Sequence, residues 1–188
     1  MNRDKSKIII ISGPSGVGKG TIISKILKEV DFLELATSAT TRQKRKGERD
    51  NKEYYFLSEK EFSLHIDSDG FLEWCHVHQA KYGTLKSEVD RINSNNKIVL
   101  LEIDTQGAKK IKKAVPNALF IFIAPPSLDA LNERLVNRNT ESSEDLTKRL
   151  KTAEEEIKQT ELYDFVVIND IVSDATDQIV AVVRKRFE

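Results

Sequence analysis

The residues best equipped for chemistry stand together near the start of the chain: Gly13, Pro14, Ser15, Gly16, Val17, Gly18, Lys19, Gly20 and Thr21. The apolar run Ile8 to Ile11 precedes them and a stretch with helical spacing follows, which predicts strand, glycine loop and helix in that order. Glycines let a backbone turn several N–H groups inward, a helix start presents the positive end of its dipole, and Lys19 adds a full charge. Such a loop cradles the phosphates of a nucleoside triphosphate, with the lysine near the β and γ oxygens. It departs from G-x-x-x-x-G-K-[ST] in one place: Gly20 follows the lysine and the hydroxyl of Thr21 comes one position later. By itself the loop fits a kinase, a GTPase, an ATPase or an inactive binder.

Other polar clusters narrow the chemistry. Arg42, Lys44, Arg45, Lys46 and Arg49 crowd into one segment with Glu48 and Asp50, a density of cations that a small anionic ligand would explain. Glu102 and Asp104 are two apart at the end of an apolar run, which reads as one face of a strand; the pair could serve a nucleoside and a magnesium shell, with their separate roles open. Arg134, Arg138 and Arg149 flank the polar stretch from Asn139 to Ser143, and could equally pair with Glu133, Glu141 and Glu144 on solvated helices. Cys75, His76 and His78 do not read as a metal site, because Cys75 and His76 alternate faces and no second ligand pair has zinc spacing.

The strings Ser38-Ala-Thr-Thr-Arg42-Gln-Lys-Arg45-Lys-Gly-Glu48, Tyr54-Tyr-Phe56, Phe71-Leu-Glu73-Trp74, Tyr82-Gly-Thr84, Leu101-Glu-Ile-Asp104-Thr-Gln-Gly107 and Phe122-Ile-Ala-Pro-Pro-Ser127 together resemble guanylate kinase. The likeness runs from about Ile8 to about Asp170, and Lys-Gly-Thr after the loop is common among nucleoside monophosphate kinases. It implies an enzyme that uses ATP with Mg2+ to phosphorylate GMP, and dGMP as well, to the diphosphate. It implies that Arg42, Arg45, Tyr54 and Tyr82 hold the acceptor phosphate, and two guanidinium forks with two phenols suit a dianion. Glu73 is then the acceptor for guanine N1–H and the 2-amino group, with Ser38 and Thr84 at other base-edge atoms and Glu102 and Asp104 near the nucleoside. Lys19, Arg42, Arg138 and Arg149 become the catalytic cations, Arg134 joins the ATP site, and Asn169 lies near the ATP base. Magnesium is expected through phosphate oxygens and water, with no direct protein ligand. Two rivals are an interaction module of the same fold, whose mark would be a damaged glycine loop, and a P-loop kinase for a phosphorylated sugar, against which Glu73, Ser38 and Thr84 argue.

These residues need a scaffold. Short apolar runs alternate with helical spacing, the pattern of an α/β protein built on a parallel sheet flanked by helices. Strands are predicted over residues 7–12, 33–38, 71–77, 98–103, 119–124 and 165–168, of which 8–11, 98–103 and 119–123 are apolar on both faces and read as central. Helices are predicted over 21–30, 59–66, 85–93, 106–114 and 174–187, with Ser58 and Glu61 as a capping box. Ser127 should open a helix to residue 137, and Ser142 or Ser143 one that ends near Leu162. On the last helix Ile179, Val182, Val183 and Phe187 should face the sheet.

Residues 40–51 and 137–145 stand apart as polar, cationic excursions that should close over a bound nucleotide. The resemblance divides one domain, 1–188, into a P-loop NTPase-type core (about 1–37, 97–130 and 163–188), a GMP-binding region (about 38–96) and a helical lid (about 131–162).

Thirty basic side chains balance thirty acidic ones in 188 residues, so no net positive field points to nucleic acid. One cysteine and no run long enough for a membrane span lead to the expectation of a cytoplasmic protein with small-molecule substrates and no membrane partner. Oligomeric state is not legible.

Overall fold

The computed structural model describes residues 6–77, 79–136 and 143–188, with backbone alone for 143–145. Four consecutive isoleucines form most of β1 (Ile8–Ser12), where every position is buried. Strands β7 (Ile98–Glu102) and β8 (Leu119–Ala124) are apolar on both faces too. With β2 (Leu33–Leu35) and β9 (Phe165–Ile168), the strand order is β2-β7-β1-β8-β9, so the three doubly apolar runs are the central strands. The β2–β7, β1–β8 and β8–β9 pairings are parallel.

The chain divides into two compact units. One contains residues 6–8, Phe32–Leu101 and Gln106–Ala118. It holds a second sheet of order β4-β3-β6-β5, made by β3 (Ala39–Thr40), β4 (Tyr55–Phe56), β5 (Phe71–Val77) and β6 (Ala80–Leu85). Helix α2 (Glu59–Asp67) opens on the expected capping box, with Ser58 Oγ accepting from Glu61 N and the Glu61 carboxylate from Ser58 N. Its Phe62 packs with Ala39, Phe71 and Leu85 in a small core ringed by Tyr55, Leu57, Ile66 and Trp74. Helices α3 (Lys86–Ser94) and α4 (Thr105–Ala114, from Gln106 onward) complete this unit.

The other unit contains Ile9–Asp31, Glu102–Thr105 and the described residues of Leu119–Glu188. Here α1 (Lys19–Glu29) buries Ile22, Ile23 and Ile26, and α7 (Val172–Phe187) buries Ala175, Ile179 and Val183. The two helices pack together, and Arg184 Nη2 donates to the Glu29 carbonyl at 3.1 Å. Helix α5 (Leu128–Val136) is capped by Ser127, whose Oγ accepts from Ala130 N at 3.1 Å. Helix α6 (Ser143–Ile157) ends before a short 3-10 turn, Thr160–Leu162, and does not run on to Leu162. Its expected cap at Ser142 or Ser143 lies outside the described side chains.

Other boundaries also differ. Strand β2 stops at Leu35, and the chain passes through residues 36–38 to pair in the second sheet. Strands β3, β4 and β6 are additions to the elements expected from sequence. On α7, Val182 and Phe187 are only half-buried while Val180 is buried, so the apolar stripe is rotated from the predicted one. Among the described residues no helix is long and apolar enough to cross a membrane.

Candidate active site

The glycine loop lies in the unit that holds β1 and α1. Gly13 has φ 152, and a Cβ there would lie 2.3 Å from the Ile123 carbonyl oxygen. Gly18, at φ 98, is the left-handed residue before α1, where a Cβ would come within 2.8 Å of Asn169 Nδ2. The loop therefore closes against β8 and Asn169 only because these positions lack side chains. Asn169, 2% exposed, donates from Nδ2 to the Val17 carbonyl at 2.7 Å and from its backbone to Ala124 O at 2.8 Å. Its own carbonyl accepts from Arg134 Nη2 at 3.0 Å, which brings Arg134 to the same loop. Lys19 Nζ donates to Gly13 O at 2.6 Å and Pro14 O at 3.2 Å, so its charge is held over the turn. Gly20 has open space around it, and Thr21 is exposed on the first turn of α1.

Glu102, Asp104 and Glu156 lie in the same unit as the loop. Glu102 ends β7, but Asp104 lies past the strand, because α4 begins at Thr105; the two are not neighbours on one strand face. Burial raises the Glu102 carboxyl and the Lys19 charge opposes that rise. Glu156, on α6, is pushed up to about 7, chiefly by burial and then by Asp104, with Lys19 and the Thr105 hydroxyl acting the other way. Thr105 Oγ1 donates to Glu156 Oε1 at 3.4 Å. Sequence reading did not single out Glu156, since Glu154, Glu155 and Glu156 read as a solvated run. No sequence signal separates it from its neighbours: only the structure shows that it stands three residues after Ala153, which is 2% exposed.

The arginine segment lies in the other unit. Arg42 forms a two-pronged pair with Glu48, Nη2 to Oε1 at 2.8 Å and Nη1 to Oε2 at 3.0 Å, and donates to Gln43 O at 2.7 Å. Its guanidinium carbon is 5.4 Å from the Tyr54 ring centre and 5.6 Å from that of Phe56. Tyr54 meets Tyr82 edge-on at 5.8 Å, so Arg42, Tyr54 and Tyr82 form one cluster. The Arg42 guanidinium, with the Arg45 backbone N–H donating at 2.8 Å, holds the Glu48 carboxyl down at about 2. The Arg45 side chain is exposed.

Across β5 and β6, Glu73 faces Thr84, and Thr84 Oγ1 donates to Glu73 Oε1 at 2.9 Å with both residues buried. A Cβ on Gly83 would sit 2.8 Å from both Glu73 O and Trp74 Cβ, so glycine permits the close pairing that brings this carboxylate and hydroxyl together. Lys110 reaches back from α4 to the Trp74 carbonyl and lies 5.0 Å from the Trp74 ring centre.

A family model described as guanylate kinase matches residues 5–186. The chain belongs to the guanylate kinase family. It is 48% identical over 176 residues to a guanylate kinase of Caldanaerobacter subterraneus subsp. tengcongensis, covering 94% of this chain and 85% of that one. It is 42% identical over 180 residues to a guanylate kinase of Thermotoga maritima, covering 96% and 87%. The crystal structure of guanylate kinase from Anaplasma phagocytophilum superposes with a TM-score of 0.78 at 30% identity, covering 97% of this chain and 87% of that one. The chain is thus an enzyme and a kinase of the α/β class with a parallel central sheet.

Against this guanylate kinase background, the predicted residues fall into two sets. Gly13 to Thr21, Arg134 and Asn169 gather in one unit, which also holds Glu102, Asp104 and Arg149. Arg42, Tyr54 and Tyr82 gather in the other, which also holds Ser38 and the Glu73–Thr84 pair. Arg138 lies outside the described residues, as does His78. Among the described residues no group of three or more His, Cys, Asp or Glu could hold a metal ion.

Proposed function

We propose that this chain transfers the terminal phosphoryl group of ATP to GMP, and to dGMP, giving ADP and the nucleoside diphosphate. The observation that carries the acceptor is Glu73, a buried carboxylate with Thr84 donating to it. Guanine offers such a group two adjacent donors, N1–H and the 2-amino group, where adenine has neither. In this reading Arg42, Arg45, Tyr54 and Tyr82 take the GMP phosphate, and Ser38 takes another base-edge atom. Lys19 and the loop N–H groups take the ATP phosphates, joined by Arg134, Arg138 and Arg149, while Asn169 shapes the loop beside the ATP base. Residues 38–96 then serve as the acceptor region and 131–162 as the lid.

A GMP phosphate oxygen attacks the γ-phosphorus, its bond to the β–γ bridging oxygen breaks, and ADP leaves with that electron pair. The acceptor oxygen is already anionic, so neither a general base nor a covalent enzyme intermediate is needed. The protein's task is to align two nucleotides and neutralise the repulsion of their phosphates. Glu102 and Asp104 would between them face the nucleoside and the water shell of Mg2+, in the unit where the Lys19 charge acts on Glu102. Bound with ATP, the ion neutralises charge on the transferring phosphates. The balanced charge and the small-molecule substrates suit a cytoplasmic enzyme without nucleic-acid or membrane partners.

A coupled assay with ATP and GMP, dGMP, IMP, AMP, UMP and CMP tests the reading. GMP should give the highest kcat/KM, with IMP poorer for want of the 2-amino group. Glu73→Gln should lower kcat/KM for GMP by about tenfold to a hundredfold, as a charged hydrogen bond of about 1.5–3 kcal/mol implies, and barely change AMP. Equal losses for GMP, IMP and AMP would show that Glu73 supports the strand and does not read the base.

A further inference from the structure

Helix α3 carries a carboxylate where its neighbours are apolar. Glu88 is 3% exposed, on the buried face it shares with Val89 and Ile92 of the same helix. Its oxygens accept four hydrogen bonds from three separate segments. Oε1 takes Thr37 N at 3.0 Å and Arg91 Nη2 at 3.0 Å. Oε2 takes the Tyr55 hydroxyl at 2.9 Å and Arg91 Nε at 2.8 Å. Arg91 continues to Glu34 Oε1 at 2.7 Å on β2. Burial pushes the Glu88 carboxyl up, but Arg91, the Thr37 N–H and the Tyr55 hydroxyl outweigh it and hold the group below its ordinary value.

A buried charge is a poor way to gain stability, since an apolar side chain of similar size often does as well. What the network does supply is fixed geometry at two chosen places. Thr37 immediately precedes Ser38, and Tyr55 immediately follows Tyr54. Tyr55 N also donates to the Ser38 carbonyl at 2.9 Å, so Ser38 is tied on both sides. Tyr54, just before β4, meets Phe56 edge-on at 5.8 Å and both rings lie against Arg42, while Tyr55 between them turns the other way to Glu88; anchoring Tyr55 thus holds Tyr54 on the side where it meets Tyr82 and Arg42.

We infer that Glu88, clamped by Arg91, is a positioning residue that sets affinity for the acceptor nucleotide by fixing Ser38 and Tyr54. The inference rests on the reading of this unit as the acceptor site. Neither Glu88 nor Arg91 needs to touch the nucleotide; their effect travels through one backbone N–H and one phenol.

The test is steady-state kinetics on wild type, Glu88→Gln, Tyr55→Phe and Glu73→Gln, varying GMP and ATP in turn, with unfolding temperatures for each. Glu88→Gln should raise KM for GMP by about tenfold or more, because an amide cannot accept from both partners and hold Arg91. Tyr55→Phe keeps the ring and removes one link, so it should raise KM for GMP by about threefold or more, and it carries the test if Glu88→Gln does not fold. KM for ATP should stay within about twofold in both. Unchanged KM for GMP in both variants, beside a raised value in Glu73→Gln, would overturn the inference and leave the network as scaffold. Unchanged KM for GMP in Glu73→Gln as well would bring down the acceptor-site reading itself. A parallel rise in KM for both substrates would show general loosening and also overturn it.

Discussion

A carboxylic acid whose ionisation its surroundings resist makes the fold depend on pH, and Glu156 is such a group. Its folded value of about 7 lies above the ordinary 4.5, with burial as the largest cause. The sign follows from linkage: its contribution is fully present below about pH 4.5 and is lost as pH rises through about 7. Glu156→Gln cannot ionise, and its carbonyl can still accept from Thr105. Urea unfolding of the nucleotide-free protein should therefore show the variant gaining about 2 kcal/mol over wild type between pH 4.5 and pH 8, since a pKa displaced by one is worth about 1.4 kcal/mol and partial exposure screens some of it. A difference independent of pH would mean that Glu156 ionises freely. Glu48 is the opposite case, held down at about 2 by Arg42, so it stays ionised throughout that range. The contrast shows what residue types disclose. Arg42, Glu73 and Lys19 stand out in the sequence because each belongs to a motif. Glu156 and Glu88 do not, because one glutamate in a charged helix looks like another until its burial is known.

At the scale of elements, β1, β7 and β8 were legible because a run apolar on both faces has few places to go except the middle of a covered sheet. Strands β3 and β4 have two residues each, too few for any period, and exist through their pairing partners. Strand β6 was hidden by Gly83, which reads as a breaker in sequence yet is required where Glu73 and Trp74 press close. The same distinction between glycines that must be glycine and those that need not be applies in the phosphate loop. Gly13→Ala would drive a Cβ to 2.3 Å from the Ile123 carbonyl oxygen at a positive φ, and backbone cannot move aside cheaply. We expect a loss of about 2–3 kcal/mol with a raised KM for ATP. Gly20 lies in α1, and a Cβ added there would meet nothing within 4 Å, so it should accept alanine with no loss. Helix propensity could even add up to about 1 kcal/mol. Thermal unfolding of the two variants side by side checks this, and equal destabilisation would contradict the loop geometry.

For the whole molecule, the proposed ligands divide between two compact units, the phosphate loop with Lys19 in one and Glu73 with Arg42 in the other. Binding to each should then be separable, even though turnover needs both. A ligand that binds only the folded state at about a hundredfold over its Kd adds about 2.7 kcal/mol, which for a chain of this length raises the unfolding temperature by about 5–10 °C. Wild type should show such a rise with GMP alone and with ATP alone. Glu73→Gln removes a base acceptor, so at the same concentrations it should lose most of the GMP rise and keep the ATP rise. Lys19→Met removes a cation from the loop, so it should keep the GMP rise, lose most of the ATP rise, and reduce kcat to below about a tenth of wild type. The melting profiles of the three proteins without ligand should agree within a few degrees, because Lys19 donates to loop carbonyls and a glutamine at 73 can still accept from Thr84. If either substitution abolished both rises together, the assignment of donor and acceptor to separate units would fail, whatever the kinetic constants showed.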